Sequence, residues 1–170
     1  PLREALVDSL NIPAVEILDD VSYRVLHELL RDSGLKTLSP DPDRYGLSLT
    51  LGSPEVRLLE LTNAFAMLGR LGVYKPFSVN EDEVILNGRR LLSDGAAFIV
   101  ADILSDNLRL QAAGLYRDEK QSPQVAFKTG TSYGQTDAWT FAYNPEFTVG
   151  VWMGNFNGKS SKALVGLEVA

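Results

Sequence analysis

The feature that most narrows the fold is a change of hydrophobic period after Pro123. Residues 125–132, 137–143 and 147–154 are rich in Val, Phe, Trp, Thr and Tyr and follow a period of two, so each reads as a strand. The connectors, Tyr133-Gly134-Gln135-Thr136 and Asn144-Pro145-Glu146, are of hairpin length. The spacing therefore predicts a three-stranded antiparallel meander.

Upstream, from residue 2 to about 110, the period is helical. Leu2, Ala5 and Leu6 share one face of a short first helix. A second stripe begins at Ala14, Ile17 and Leu18 and runs on through Val21, Val25, Leu26, Leu29 and Leu30. Pro13 suits its first turn and Gly34 its stop. Residues 39–46 are a loop by their Pro and Asp content. A third helix opens at Ser53 or Pro54, with Val56, Leu59, Leu61, Ala64, Phe65 and Leu68 as its apolar face, and Gly69 and Gly72 mark its end. A fourth spans 94–105, capped by Ser93, with Ala97, Val100, Ala101 and Leu104 inward. Helices followed by a meander predict an α+β layered protein, an antiparallel sheet flanked by helices. Residues 1–170 are read as one domain, mainly helical over 1–122 and sheet over 123–158.

Composition removes several classes of function. The 170 residues carry 16 basic and 22 acidic side chains, a net charge of −6 with a pI near 4.8, which argues against nucleic acid as a partner. No cysteine is present, so disulfides, zinc–thiolate sites and thiol catalysis are excluded. Apolar runs such as 96–101 fall far short of the roughly 20 residues of a membrane helix. Pro1-Leu2-Arg3-Glu4-Ala5 leads straight into an amphipathic segment rather than a secretory leader, and reads as an interior cut. The sole histidine, His27, has no second imidazole for a metal site or a Ser-His-Asp triad, and is expected to be a partly exposed helix residue. Asp19-Asp20 and Glu81-Asp82-Glu83 read as solvated charge runs. Trp139, Trp152, Asn63, Phe65 and Met67 read as packing, and no cofactor is implied.

The chemistry-bearing string is Lys128-Thr129-Gly130-Thr131-Ser132, on the first strand of the meander. Gly130 has no Cβ, which permits close approach of another backbone. Thr129 and Thr131, two apart, present both hydroxyls on one side, and with Lys128 the strand offers a positive charge and two hydroxyls to a carboxylate. The competing reading is an edge strand with a solubilising Lys and two β-branched residues. A phosphate-binding Walker loop fails, because Phe127 stands where it needs Gly immediately before the Lys.

Lys-Thr-Gly is also the third motif of the serine acyltransferases that include penicillin-binding proteins. Phe127 through Gly134, then Asp137-Ala138-Trp139, then Val149-Gly150-Val151-Trp152-Met153-Gly154, resemble the terminal meander of a class A penicillin-binding protein, with Phe127 most like the 1C type. Leu47-Ser48-Leu49-Thr50-Leu51-Gly52 and residues 58–72 resemble the family's run between its second and third motifs. The resemblance covers essentially the whole chain. The second motif, Ser-x-Asn, has three matches: Ser9-Leu10-Asn11, Ser78-Val79-Asn80 and Ser105-Asp106-Asn107. The first is preferred for its neighbours, Ala5-Leu6 and Ile12-Pro13-Ala14-Val15, and for lying over a hundred residues before Lys128. The nucleophile motif, Ser-x-x-Lys, has one match, Ser33-Gly34-Leu35-Lys36, which comes in the wrong order and breaks its own helical turn at Gly34. The nucleophile is therefore expected on a segment that these 170 residues do not include.

The resemblance implies part of a penicillin-binding, serine β-lactamase-like transpeptidase domain that cross-links peptidoglycan stem peptides ending in D-Ala-D-Ala and binds β-lactams. It implies that Ser9 joins the proton path around the leaving amine, Asn11 holds the substrate amide, and Lys128 bonds Ser9 and attracts the terminal carboxylate. Thr129 and Thr131 would bond that carboxylate along the Gly130 to Ser132 segment, and the Thr131 N–H would be an oxyanion donor. An upstream glycosyltransferase in the parent and a place on the periplasmic side of the inner membrane are implied in the same way. A non-catalytic binding or sensing module on the same fold is the alternative.

Overall fold

The computed structural model describes residues 1–80, 82, 87–105 and 125–161. The helices are α1 (Leu2–Val7), α2 (Asn11–Val21), α3 (Tyr23–Asp32), α4 (Leu58–Gly69) and α5 (Asp94–Leu104). The strands are β1 (Val73–Tyr74), β2 (Arg89–Arg90), β3 (Ala126–Thr131), β4 (Asp137–Tyr143) and β5 (Thr148–Gly154). Most of the Glu81-Asp82-Glu83 run, the last two residues of the third Ser-x-Asn match and the division between 122 and 123 lie outside the described residues.

The meander forms as the period of two requires, in the order β3-β4-β5 with both pairs antiparallel. Ala126 pairs with Tyr143 and Thr131 with Ala138, while Asp137 pairs with Gly154 and Tyr143 with Thr148. Residues directly opposite share a face. The stack of Phe65 from α4 on Phe141, with centroids 4.5 Å apart, identifies the helix-covered face. Phe141, Tyr143, Trp139, Trp152 and Ala126 lie on it by alternation. Leu104, Ala126 and Tyr143 centre the core there, with Leu6, Phe65, Leu68, Val100 and Ala101 packed around them. The buried Phe141 alone contributes about 1.5–3 kcal/mol. The opposite face keeps Val149, Val151 and Met153 exposed. The two tryptophans thus form one cross-strand pair, 6.3 Å between centroids, on a single face.

Several helical expectations are corrected. The second stripe is two helices, broken at Ser22, where φ is +85° and the side chain accepts a hydrogen bond from the Arg24 N–H. A short polar side chain that caps a new helix outcompetes continuation of the old one. The third helix starts at Leu58 rather than Ser53 or Pro54, and its buried residues are Glu60, Asn63 and Met67, two of them polar. Glu60 accepts from Arg57 and the Lys36 N–H, and Asn63 donates to the Lys75 carbonyl, so burial leaves both satisfied. His27 is buried rather than partly exposed, its Nε2 2.8 Å from the Ser39 carbonyl oxygen. β1 and β2 pair antiparallel, Val73 with Arg90 and Tyr74 with Arg89, within the stretch read as helical in period. Ser93 caps α5 by accepting from the Ala96 N–H.

Candidate functional site

Ser9 follows α1, a helix closed by a Schellman pair: Leu10 N–H donates to the Ala5 carbonyl at 2.9 Å and Ser9 N–H to that of Leu6 at 3.3 Å. That pair needs its penultimate residue in the left-handed region, and Ser9 occupies it at φ +54°. The turn places Ser9 between the end of α1 and the start of α2. Leu6 packs α1 into the core, and the Arg3 guanidinium binds the Asp102 carboxylate on α5. Ser9 is thereby held over the helix-covered face.

Lys128 leaves the strand on that same face, because its partner in register is Phe141. Its Nζ donates to Ser9 Oγ at 2.5 Å and to the Thr129 carbonyl oxygen at 2.7 Å. Two positions separated by 119 residues thus meet in one charge-assisted contact. Asn11 is the first residue of α2, its side chain exposed, and no hydrogen bond joins it to Ser9 or Lys128 among the described residues.

The strand edge follows from the ladder. Ser132 N–H donates to the Asp137 carbonyl at 3.0 Å, so Ser132 and Asp137 form a bonded pair. Bonded and non-bonded pairs alternate along an antiparallel ladder. Lys128 and Gly130 therefore turn their backbone groups toward β4, whereas Thr129 and Thr131 turn theirs to the other edge of β3. The Thr131 N–H and the Thr129 carbonyl sit on the edge to which Lys128 bends. The threonine side chains start on the face opposite Lys128, so charge and hydroxyls come together only along this edge. Gly130 is exposed, and among the described residues a Cβ built on it would meet no side chain or strand nearer than Trp139 Cβ at 3.9 Å, so these residues do not require glycine there.

Ser132 is differently engaged. Its Oγ accepts from the Asp137 N–H at 2.8 Å and lies 2.7 Å from Thr136 Oγ1, which donates to Asp137 Oδ2 at 2.8 Å. Trp152 Nε1 donates to the other carboxylate oxygen at 2.8 Å. Burial works to raise the Asp137 pKa, but the hydrogen bonds from Trp152 and Thr136, with the Ser132 hydroxyl beside them, outweigh it and hold the carboxyl below its ordinary range. Thr136, Asp137 and Trp152 do not stand out as a group in the sequence. A half-buried indole N–H signals an acceptor, but not one 15 residues away.

The other motif matches are used structurally. Ser33 is buried and its Oγ donates to the Leu30 carbonyl, with Gly34 at φ +92° ending α3 and Lys36 exposed. Ser78 Oγ accepts from the Asn80 N–H and donates to the Asn80 carbonyl, a local turn. No helix among the described residues is long and apolar enough to cross a membrane.

No protein-family model matches the chain. Penicillin-binding protein 1C of Escherichia coli (strain K12) is 35% identical over 158 residues, covering 92% of this chain and 20% of that protein. Penicillin-binding protein 1A of Aquifex aeolicus (strain VF5) is 32% identical over 184 residues, covering 99% of this chain and 24% of the relative. The crystal structure of penicillin-binding protein 1A from Haemophilus influenzae superposes with a TM-score of 0.77 at 17% identity, over 99% of this chain and 32% of that one. The chain thus spans a fifth to a quarter of the length of these curated relatives.

Proposed function

The chain belongs to the penicillin-binding protein family, as part of its transpeptidase domain, and from that premise we propose that it carries the carboxylate-binding and proton-relay half of a serine D,D-transpeptidase site. The 2.5 Å contact between Lys128 Nζ and Ser9 Oγ carries the reading. Lys128 donates to Ser9, so the Ser9 proton is turned outward and made more acidic by the neighbouring cation. Ser9 then passes its proton to the nitrogen that leaves when the acyl-enzyme forms and takes one from the Lys128 ammonium in its place, which solvent returns to Nζ. The same ammonium supplies positive potential for the terminal carboxylate of a stem peptide or for the carboxylate of a β-lactam. The Thr129 and Thr131 hydroxyls bond that carboxylate, and Asn11 holds the substrate amide. The Thr131 N–H, on the strand edge, stabilises the oxyanion by about 3 kcal/mol.

The nucleophilic serine, its lysine base and the second oxyanion donor come from residues outside these 170. Residues 1–170 constitute one partial domain, a mainly helical part over 1–122 and the three-stranded meander over 123–158, of an enzyme that works on peptidoglycan in the cell envelope. An upstream glycosyltransferase and a membrane anchor belong to the parent protein. Incubation of the parent with a fluorescent penicillin, followed by denaturing electrophoresis, tests the reading. Covalent labelling of the parent, its loss on Lys128→Gln, and no labelling of the isolated 170-residue chain are expected. A parent that takes no label, or a Lys128→Gln protein labelled at the parental rate, overturns it.

A further inference from the structure

The hydrogen bonds beside the Lys-Thr-Gly strand have only one consistent direction. A carboxylate accepts and cannot donate. Thr136 Oγ1 therefore spends its single proton on Asp137 Oδ2. Ser132, 2.7 Å from Thr136 Oγ1, must then be the donor in that contact, and its remaining capacity is already taken in part by the Asp137 N–H. The bonds form a closed ring from the Asp137 N–H to Ser132, from Ser132 to Thr136, and from Thr136 back to the Asp137 carboxylate. While Asp137 is ionised, Ser132 has no proton to offer a bound carboxylate.

The ring is tied to the far strand. Trp152 Nε1 reaches Asp137 Oδ1 across from β5. Its indole can lie there because Gly154, the register partner of Asp137, has no side chain: a Cβ on Gly154 would meet Trp152 Cζ2 at 2.6 Å. Each oxygen of the carboxylate thus faces a donor, one from the hairpin and one from β5. The hairpin between β3 and β4 begins at Ser132, directly after Thr131.

We propose that Asp137 is a positioning residue for acyl transfer: clamped between Trp152 and Thr136, it fixes through Ser132 the end of β3 that presents Thr131. The proposal rests on the transpeptidase reading above and deepens it. Ser132 accordingly acts through the backbone it holds rather than by contact with substrate. An amide at position 137 has one acceptor, so it leaves Trp152 or Thr136 facing an N–H, or reverses the ring and frees the Ser132 proton.

The test is penicillin acylation of the full-length parent protein, with the first-order acylation constant, the dissociation constant and the labelled fraction measured separately. Asp137→Asn is expected to lower the acylation constant about tenfold to a hundredfold, with the dissociation constant changed less than threefold. Thr136→Val, which keeps the carboxylate but cuts the ring and removes the donor to Oδ2, is expected to fall in the same direction. In a Trp152→Phe background the amide finds room on the vacated side, so Asp137→Asn costs several-fold less there. A purely structural role lowers the labelled fraction and leaves the rate constant of the remaining protein unchanged. That result, or a parental rate constant in both Asp137→Asn and Thr136→Val, overturns the proposal while Lys128→Gln still abolishes labelling. A parent that is not acylated, or a Lys128→Gln protein that is, overturns the transpeptidase reading and the proposal with it.

Discussion

Ser9 occupies a backbone position better suited to another residue, and that makes its contribution measurable. It stands at φ +54°, in the left-handed region, where the Schellman closure of α1 requires it. A side chain in that region costs about 1–2 kcal/mol relative to glycine. Glycine gives back about 0.4–1 kcal/mol through the greater freedom of its unfolded chain. Ser9→Gly and Ser9→Ala both lose the hydroxyl that meets Lys128, so that loss cancels when the two are compared. The difference isolates the backbone, and Ser9→Gly is expected to be the more stable by about 0.5–1 kcal/mol. For a chain of this length that corresponds to about 1–4 °C in Tm. Urea unfolding of both variants with matching m values gives the comparison directly. Acylation of the parent protein should fail in both, separating the stability of the turn from the use of the hydroxyl. An alanine variant as stable as the glycine variant, or more so, would refute the left-handed strain at Ser9.

Other perturbations test the packing and the charges. The Tyr143 hydroxyl is buried with no hydrogen-bond partner among the described residues, and burial pushes its pKa up to about 12. Tyr143→Phe is therefore expected to leave stability unchanged or raise it by up to about 1 kcal/mol in thermal melts, and a loss above that would mean the hydroxyl has a partner. Gly150→Ala is expected to destabilise by about 1–3 kcal/mol, because a Cβ there would stand 2.1 Å from Thr62 Oγ1 and 2.8 Å from the Phe141 ring. Gly130→Ala is expected to fold normally and acylate slowly, since its neighbourhood is open to solvent and ligand but not filled by the fold; equal melting points with equal acylation rates would contradict this. The depressed pKa of Asp137 contributes stability above its unfolded value of about 3.9, which is lost as pH falls from there toward the lower folded value. Asp137→Asn should flatten that acid limb, and an unchanged pH profile of unfolding would show that the carboxylate gains nothing on folding.

The meander was readable because its information is local. Alternation sets the faces, short connectors set the antiparallel order, and β4 emerged at residues 137–143 as the pattern indicates. Ser93 as the cap of α5 was legible for the same reason, since one side chain and one nearby N–H decide it. The break at Ser22 was not, because an apolar stripe continues across it and only a single residue's φ separates α2 from α3. Polar residues on the buried face of α4 were also hidden: Glu60 and Asn63 are admissible inside because Lys36 and Lys75 bring partners from elsewhere in the chain, beside the local Arg57.

At the site the same division holds. The residue types, a lysine with flanking threonines on a strand and a Ser-x-Asn between two helices, are written in the chain, and family likeness gives them an order. Tertiary structure decides that the Ser9 hydroxyl meets the lysine, because only folding α1 onto α5 and the sheet brings Ser9 within 2.5 Å of Lys128. It also decides that Ser132 belongs to a closed ring with Thr136 and Asp137. Which way a hydroxyl donates depends on the charge and position of its neighbours in space, and spacing along the chain does not carry that information.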